Sequence, residues 1–253
     1  MSVTLDQIRQ HWDRQAALGP LAGTQDLIAK ELEQRAILAE VGLAPRCNGK
    51  VLEIGCGRGE TAIRVALRYR AKTILAVDSS PAMIEAARTE SMGAINRLTL
   101  GVGDALNPPE GPFDVIYTQR CLINLPTWEL QKQAIDAIAD RLVPGGAFLM
   151  CENSRQGLTS LSRARRWLRL EPLDSPWHNE YIDEARLLEV TRLRLVRVVR
   201  FSAAYYFLSR IVNARLHREP RYDSWINKLA LRLPYWLFGT RWAQGRLFVW
   251  IKP

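Results

Sequence analysis

The stretch Val51-Leu52-Glu53-Ile54-Gly55-Cys56-Gly57-Arg58-Gly59 decides the fold of this 253-residue chain. Residues 51–54 are a short, mainly apolar run that predicts a buried strand, and a helical pattern follows it through 63–67. The glycines between strand and helix allow the backbone to approach a ligand without an intervening Cβ atom. At the carboxyl end of a strand in a parallel sheet, such a loop lies in the crevice where nucleotides bind.

Strands and helices alternate on either side of this loop at a spacing typical of an α/β protein with a doubly wound, mainly parallel sheet. The predicted strands are 51–54, 73–77, 98–102, 115–118 and 147–150, and 195–201 with 247–251 would complete a seven-stranded sheet. Predicted helices lie at 5–12, 26–41, 63–67, 81–90, 127–142, 158–170 and 183–193. Ser80 and Thr127 are the expected caps of two of these helices. Residues 205–246 show no clear period.

The patterns predict a single domain over 1–253, divided into an N-terminal helical lid (1–47), a core (48–152) and an elaboration with two closing strands (153–253). The net charge of the elaboration differs from that of the rest of the chain. Residues 151–253 hold 19 Lys and Arg residues against 9 Asp and Glu residues, whereas residues 1–150 hold 16 against 17. Arginine binds carboxylate and phosphate groups in a bidentate manner, so the elaboration indicates either an anionic partner or a solvated basic surface.

Cysteine usage and hydropathy argue against several protein classes. Cys47, Cys56, Cys121 and Cys151 form no CxxC pair and have no histidine at ligand spacing, which disfavours a zinc site or a disulfide framework, and no metal is expected. The N-terminus lacks the basic and apolar regions of a signal peptide, and no apolar run approaches roughly 18 residues. The expected location is the cytoplasm, and peripheral association with the inner face of the membrane is compatible with it.

The spacing of the glycines distinguishes two nucleotide cofactors. A dinucleotide fingerprint, GxGxxG, requires glycine at position 60, where this chain has Glu60. The observed GxGxG spacing follows an acid, Glu53, two residues before its first glycine. A carboxylate there attracts the ammonium group of S-adenosylmethionine (SAM) and repels a pyrophosphate. The sequence therefore favours SAM over NAD.

Two further acids follow predicted strands. Asp78 comes directly after the strand at 73–77, where a carboxylate can accept hydrogen bonds from both hydroxyl groups of a ribose. Asp104 follows the next strand, at a position that can meet the adenine amino group. A structural role is the alternative for each acid: Asp78 would cap the next helix, and Asp104 would be a turn residue.

This ordered set of motifs resembles the class I SAM-dependent methyltransferase family over residues 48–152. The resemblance includes the glycine loop, both acids, Phe113-Asp114-Val115-Ile116 and Leu142-Val143-Pro144-Gly145-Gly146. It implies that the chain is a methyltransferase with SAM as its cofactor. The implied contacts are Glu53, Gly55, Gly57 and Gly59 at the methionine end, Asp78 with Ser79 at the ribose, Asp104 with Ala105 at the adenine, and Gln119, Arg120 and Cys121 beside the sulfonium.

The chain departs from the family after the predicted fourth strand. Many members have paired histidines there, where this chain has Ile123-Asn124. A catalytic base, needed only for an acceptor that loses a proton early, must come from elsewhere. The candidates are His178 and Glu152, for which a surface position and a helix cap are the alternatives. Trp12 is predicted to belong to the lid, and three tyrosines are predicted to lie beside the acceptor, namely Tyr181, Tyr205 and Tyr206. Core packing is the alternative for all four residues.

The predicted methyl acceptor is a small molecule or a glycan, such as an acidic or lipid-linked sugar, bound by the C-terminal arginines. A nucleic-acid methyltransferase is an alternative, although the sequence has neither an Asn/Asp-Pro-Pro-Tyr/Phe motif nor a Pro-Cys nucleophile. A SAM-binding scaffold without catalysis is another. A membrane-surface protein is a fourth, and it would place apolar side chains in the interface with arginines beside anionic headgroups. Those side chains are Trp225, Trp236, Leu237, Phe238 and Trp242, with Arg232 and Arg241.

Overall fold

A seven-stranded sheet organises the chain in this computed structural model, which describes residues 3–46, 48–69, 73–91, 96–217 and 222–253. The strands are β1 Lys50–Ile54, β2 Thr73–Asp78, β3 Leu98–Val102, β4 Phe113–Gln119, β5 Leu142–Asn153, β6 Arg194–Val199 and β7 Gly245–Ile251. Their spatial order is β3-β2-β1-β4-β5-β7-β6, with β7 antiparallel to both neighbours and the other pairs parallel. The predicted α/β fold with a mainly parallel sheet is confirmed.

The order of the strands reverses between β1 and β4. The chain moves outward from β1 through β2 to β3, and then returns to the other side of β1 to form β4 and β5. At such a switch point the connecting loops diverge and leave a crevice at the carboxyl ends of the strands. The glycine loop after β1 and the segment after β4 therefore border one crevice.

Helices connect the strands, and several of them begin at a side-chain cap. Their bounds are α1 Leu5–Gln15, α2 Leu27–Leu43, α3 Glu60–Arg68, α4 Pro81–Ser91, α5 Trp128–Arg141, α6 Arg155–Trp167, α7 Ala203–Phe207, α8 Ala214–Leu216 and α9 Trp225–Leu229. A π-helical stretch, Leu208–Asn213, joins α7 to α8. The predicted caps are confirmed, since Ser80 Oγ accepts the Met83 N–H at 3.1 Å and Thr127 Oγ1 accepts the Leu130 N–H at 3.3 Å.

Both faces of the sheet are buried. Along β4, Val115 and Tyr117 enter one apolar cluster with residues of α2 and α3, whereas Ile116 enters a second cluster with residues of α5. All three side chains are 0% exposed. Strands that are buried on both faces have continuous apolar sequences, which is why residues 115–118 are recognisable as a strand.

The C-terminal elaboration has its own apolar cluster, which packs against the start of α2. It includes Leu161 of α6, Ile226 of α9 and Trp242, together with Ala29 of α2. Trp242 is only 8% exposed, and its Nε1 donates to the carbonyl oxygen of Phe238 at 2.6 Å. The prediction that Trp242 faces a membrane is therefore wrong.

The helix predicted over 183–193 is also wrong. This segment contains a short 3-10 turn, Arg186–Glu189. Asp183 Oδ1 accepts hydrogen bonds from Gln156 Nε2 at 2.6 Å and from the Ala185 N–H at 3.1 Å. The bond from Ala185 is local and offers the backbone an alternative to a helix, and the bond from Gln156 is a tertiary contact that holds Asp183 in this position. The helix predicted at 158–170 is present as α6.

Three acids on α2 form an acidic stripe that the sequence analysis missed. Asp26, Glu33 and Glu40 lie seven residues apart, about two helical turns, and all three side chains are buried. Each pairs with an arginine from a distant part of the chain; in the same order, these arginines are Arg210, Arg120 and Arg197. Arg210 and Arg120 are largely buried, whereas Arg197 is 46% exposed. Removal of one partner from a buried pair costs about 3–5 kcal/mol, so the first two pairs fix α2 against the sheet and the elaboration.

Within the described residues, no helix is long and apolar enough to cross a membrane. No group of three or more His, Cys, Asp or Glu side chains in the same residues could hold a metal ion. Cys56, Cys121 and Cys151 are free thiols. Cys47 lies outside the described residues.

Candidate active site

The glycine loop is held in a conformation that favours glycine. Gly55 and Gly57 have φ angles of 75° and 52°, in the left-handed region. A Cβ atom on Gly55 would lie 2.6 Å from Cys121 Sγ, which belongs to the segment after β4. The N–H groups of Gly55 and Cys56 donate to the carbonyl oxygen of Val77 at 2.8 and 3.0 Å. The loop is therefore tied to the end of β2.

Asp78 supports this loop. Its Oδ2 accepts the Gly57 N–H at 2.8 Å and its Oδ1 accepts the Ser80 N–H at 2.9 Å. Burial raises the pKa of Asp78 although both hydrogen bonds lower it. The carboxylate thus joins the glycine loop to the start of α4. The contact of Asp78 with a ribose stays a prediction.

Glu53 lies under the glycine loop and is 1% exposed. Its Oε2 accepts a hydrogen bond from the Tyr117 hydroxyl at 3.0 Å. Burial raises the pKa of Glu53 to about 8, and the negative charges of Asp78 and Glu60 act in the same direction. A cation bound beside Glu53 would favour its ionised form.

A cavity of about 720 Å³ extends from the glycine loop past the end of β4 to α2 and the elaboration. Its size is within the range of small-molecule sites. The wall on the α1 side includes Leu5, Ile8 and Trp12, so the N-terminal segment covers the cofactor end. Nine of the predicted cofactor residues line the cavity: Glu53, Gly55, Gly57, Asp78, Ser79, Asp104, Ala105, Gln119 and Arg120.

One predicted cofactor residue and one predicted base do not line the cavity. Gly59 is the N-terminal cap of α3, with a left-handed φ of 77°, and packs near Ala87. Glu152 lies behind the wall, where Oε1 accepts the Thr118 hydroxyl at 2.9 Å and the N–H groups of Cys121 and Leu122 at 3.1 and 3.0 Å. Burial raises the pKa of Glu152 to about 7. These donors give Glu152 a positioning role for the segment after β4.

Gln119 and Arg120 connect the end of β4 to α2. Gln119 Nε2 donates to Glu33 Oε2 at 2.8 Å, and Gln119 Oε1 accepts the Thr61 hydroxyl at 2.7 Å. Arg120 Nε lies 3.0 Å from the same Glu33 oxygen, and Nη1 donates to the carbonyl oxygen of Gly23 at 3.2 Å. Arg120 has a φ of 50°. This conformation is unfavourable for a residue other than glycine, and it persists where the surrounding structure imposes it, commonly at functional sites.

His178 lies in the cavity wall within a cluster of aromatic rings. Its ring stacks on His11 at 4.5 Å and makes edge contacts with Trp12 and Trp177 at 5.4 and 5.3 Å. Burial, together with the neighbouring His11, lowers the pKa of His178 to about 4. Its buried Nδ1 has no hydrogen-bond partner in the described part of the chain. With this pKa, the imidazole of His178 is neutral at pH 7.

The three tyrosines that were predicted to lie beside the acceptor differ in position. Tyr181 and Tyr206 line the cavity. Tyr205 does not, because its hydroxyl donates to Asp26 in the interior. The cavity also includes Arg210 and Tyr222, which sequence reasoning missed. The seven-residue spacing of Asp26 and Glu33 is a signal that could have indicated a buried acidic face, but residues 205–246 carry no comparable signal for Arg210.

Comparison with known proteins finds a family match for the core of the chain. Residues 51–146 match a family model described as a methyltransferase domain. The chain is 33% identical over 132 residues to trans-aconitate 2-methyltransferase of Methylobacterium radiotolerans, which covers 51% of this chain and 47% of that protein. It is 32% identical over 109 residues to magnesium-protoporphyrin O-methyltransferase of Rhodobacter capsulatus, with 40% and 48% covered. The alignments thus span about half the length of these relatives.

Solved structures share the fold at low sequence identity. The [4+2]-cyclase SpnF has a TM-score of 0.64 at 18% identity, covering 100% of this chain and 97% of that one. The N-methyltransferase NodS of Bradyrhizobium japonicum, in complex with S-adenosylhomocysteine (SAH), has a TM-score of 0.61 at 16% identity, with 97% and 98% covered. The family match and this fold confirm the predicted resemblance to class I SAM-dependent methyltransferases.

Replacement of Glu53 by Gln should change how stability depends on pH. Because the pKa of Glu53 is about 8 in the folded protein against an ordinary 4.5, the folded state retains a proton that the unfolded state loses as pH rises. Its contribution is present below the ordinary pKa and is lost as pH rises towards 8. We expect the wild-type unfolding free energy to fall by a few kcal/mol more than that of Glu53→Gln between pH 5 and 8.5.

Denaturant unfolding at both pH values measures this difference in the unliganded protein. Glu85→Gln is the control, since Glu85 is an exposed side chain on α4. The same pH dependence in wild type and Glu53→Gln would show that Glu53 ionises normally.

Proposed function

We propose that this chain, whose residues 51–146 match a methyltransferase domain, transfers the methyl group of SAM to a small anionic molecule. The observation that carries the proposal is the single cavity that joins the glycine loop to a polar chamber formed by the elaboration. Cofactor and acceptor would meet at the end of β4, inside the wall formed by α1 and α2.

Charge supports SAM as the cofactor. The cofactor end of the cavity is lined by Glu53, Asp78 and Asp104. Carboxylates there favour a ligand that carries an ammonium and a sulfonium group, and they oppose the pyrophosphate of a dinucleotide. The 16% identity to NodS supports only the fold, so the family match and these acids together carry the assignment.

Methyl transfer from a sulfonium needs alignment and exclusion of water more than it needs a protein nucleophile. SAM, when bound, supplies an activated methyl group. The residues of this chain would hold the acceptor in line with it: Cys121 approaches Gly55 at one side, and Trp12 with His178 covers another. Neutral His178 is the proposed proton acceptor for a hydroxyl or amine, because its Nδ1 has no partner among the described residues.

The size of the cavity favours a small acceptor over a nucleic acid. A cavity of about 720 Å³ that is covered by an N-terminal helix suits a metabolite or a sugar, including an acidic or lipid-linked sugar. The matched relatives are named for methyl transfer to trans-aconitate and to magnesium-protoporphyrin, both small molecules, which supports a small acceptor here. SpnF is named as a cyclase, so the fold by itself does not determine the reaction.

An exposed apolar surface supports peripheral contact with a membrane. Tyr235, Trp236, Leu237 and Phe238 are consecutive and all exposed, with Trp236 at 59%. Four exposed apolar residues in succession usually serve a function. The chain after Asp223 contains no Asp or Glu, so this segment, which we call the aromatic ridge (235–238), favours an anionic lipid surface. A lipid-linked acceptor would be presented at such a surface.

Calorimetric titration with SAM and with NADH tests the cofactor. We expect saturable binding of SAM and no binding of NADH. Asp78→Ala should reduce SAM affinity by about tenfold or more, because it removes a charge-assisted hydrogen bond to the ribose and the support of Gly57. Unchanged SAM affinity in this variant would contradict the proposed cofactor geometry, and absence of SAM binding in wild type would overturn the function.

Replacement of His178 by Ala should slow methyl transfer without affecting SAM binding. We expect His178→Ala to lower kcat for a hydroxyl acceptor by about 10²-fold or more, measured as transfer of a radiolabelled methyl group. His11→Ala is the matched control, since it breaks the same ring stack from outside the cavity wall. Equal losses in both variants would assign His178 to packing.

Vesicle co-sedimentation tests the aromatic ridge. We expect binding to vesicles that contain phosphatidylglycerol, weaker binding to pure phosphatidylcholine, and loss of binding in the variant Trp236→Ser with Leu237→Ser. Trp167→Ser is the control, because Trp167 is exposed on a different helix, α6. Equal retention of the ridge variant and the control would remove the membrane from the proposal.

A further inference from the structure

Besides the three acids, the cavity wall contains two guanidinium groups. Arg120 comes from the end of β4 and Arg210 from the π-helical stretch, and both line the cavity although most of each side chain is buried. The sequence resemblance assigned Arg120 to the sulfonium. A buried arginine beside a cationic sulfonium is unfavourable, whereas one beside an acceptor anion is favourable.

Arg210 is held so that only the edge of its guanidinium group is available. The group lies over the ring of Tyr206 at 5.3 Å and over the ring of Tyr222 at 5.1 Å. Its Nη1 donates to Ser209 Oγ and its Nη2 to Asp26 Oδ2, both at 2.6 Å. A guanidinium group has five N–H donors in one plane, so these two partners leave donor capacity at its edge.

The carboxylates that pair with the arginines are themselves occupied. Asp26 also accepts the Ala29 N–H at 3.0 Å and the Tyr205 hydroxyl. Glu33 also accepts Gln119 Nε2 at 2.8 Å. The acids therefore hold both arginines in fixed positions, and a ligand would use the N–H donors of the guanidinium groups that these pairs leave over.

A buried hydrogen-bond acceptor lies in the wall of the same cavity, and it suits a donor group elsewhere on the ligand. Asn153 is 7% exposed, lines the cavity, and its Oδ1 has no hydrogen-bond partner in the described residues. A buried amide oxygen without a partner is costly. Tyr181 lies nearby, with Gln244 Nε2 donating to its hydroxyl at 3.2 Å. Donors and acceptors of the protein thus surround one chamber.

From these contacts we propose that Arg120 and Arg210 form a subsite for a carboxylate group of the methyl acceptor. This assignment rests on the proposed function and narrows its substrate class. The planar, ring-bounded edge of Arg210 matches a planar carboxylate that accepts two parallel N–H bonds. A phosphate dianion is disfavoured because Asp26 and Glu33 lie beside the same arginines. The tyrosine rings accommodate an apolar or aromatic body behind the carboxylate.

Calorimetry in the presence of saturating SAH tests the subsite without turnover. The probes are 4-hydroxybenzoate and trans-aconitate as carboxylates, 4-hydroxybenzamide as the neutral analogue, and phenyl phosphate. We expect at least one carboxylate to bind, and 4-hydroxybenzoate to bind about tenfold more tightly than the amide. Stronger binding of phenyl phosphate than of both carboxylates would overturn the assignment, as would binding of no carboxylate.

A paired variant avoids leaving a buried charge without a partner. Arg210→Gln with Asp26→Asn removes both members of one ion pair, and it should abolish the preference for the carboxylate over the amide. The matched control is Arg197→Gln with Glu40→Gln, which removes another pair of the acidic stripe away from the cavity. The preference should persist there, and its persistence in the Arg210 variant would overturn the subsite.

SAH affinity separates the two proposals. We expect it to change less than about twofold in both paired variants, because neither pair lies at the glycine loop. Retained SAH binding with no carboxylate preference in wild type would refute the subsite alone. Failure of wild type to bind SAH would refute the proposed function and the subsite that depends on it.

Discussion

A carboxylate that is removed from water must find donors within the protein, and this requirement organises the crevice. Glu152 gathers the N–H groups of the segment after β4, while Asp78 fastens the glycine loop to the start of α4. Asp26 and Glu33 hold Arg210 and Arg120. The acids of the crevice thus have a structural role, because they hold backbone and side chains in position. Ligand recognition uses the surfaces that they hold in place.

The cavity is electrically polar as a consequence. Its wall carries carboxyl groups at 53, 78 and 104 and two guanidinium groups at 120 and 210. In the proposed function, the carboxyl groups would attract the cationic methyl donor and the guanidinium groups an anionic acceptor. Orientation is then determined before any side chain takes part in a proton transfer, which agrees with a reaction that depends on alignment.

Local sequence was sufficient for the cofactor half of this cavity and insufficient for the acceptor half. The glycine loop, Asp78 and Asp104 are each adjacent to a strand with a clear apolar pattern, so topology alone brings them together. Arg210 is 184 residues from its partner Asp26 and lies in a segment without a period. Glu152 lies near the end of β5, but no local signal in the sequence shows that its side chain turns towards the backbone behind the wall. The false helix at 183–193 had a similar cause, since the bond from Gln156 to Asp183 depends on tertiary contact.

The π-helical stretch Leu208–Asn213 has an evolutionary consequence. A π-helical turn corresponds to one residue more than an α-helical turn can hold, and Arg210 lies within it. Loss of one residue there would restore regular winding and rotate the following side chains by about 100°. The glycine loop and the sheet would be untouched by such a deletion. If Arg210 binds the acceptor as proposed, a single-codon deletion would change acceptor preference in descendants of this chain while the cofactor half is inherited unchanged.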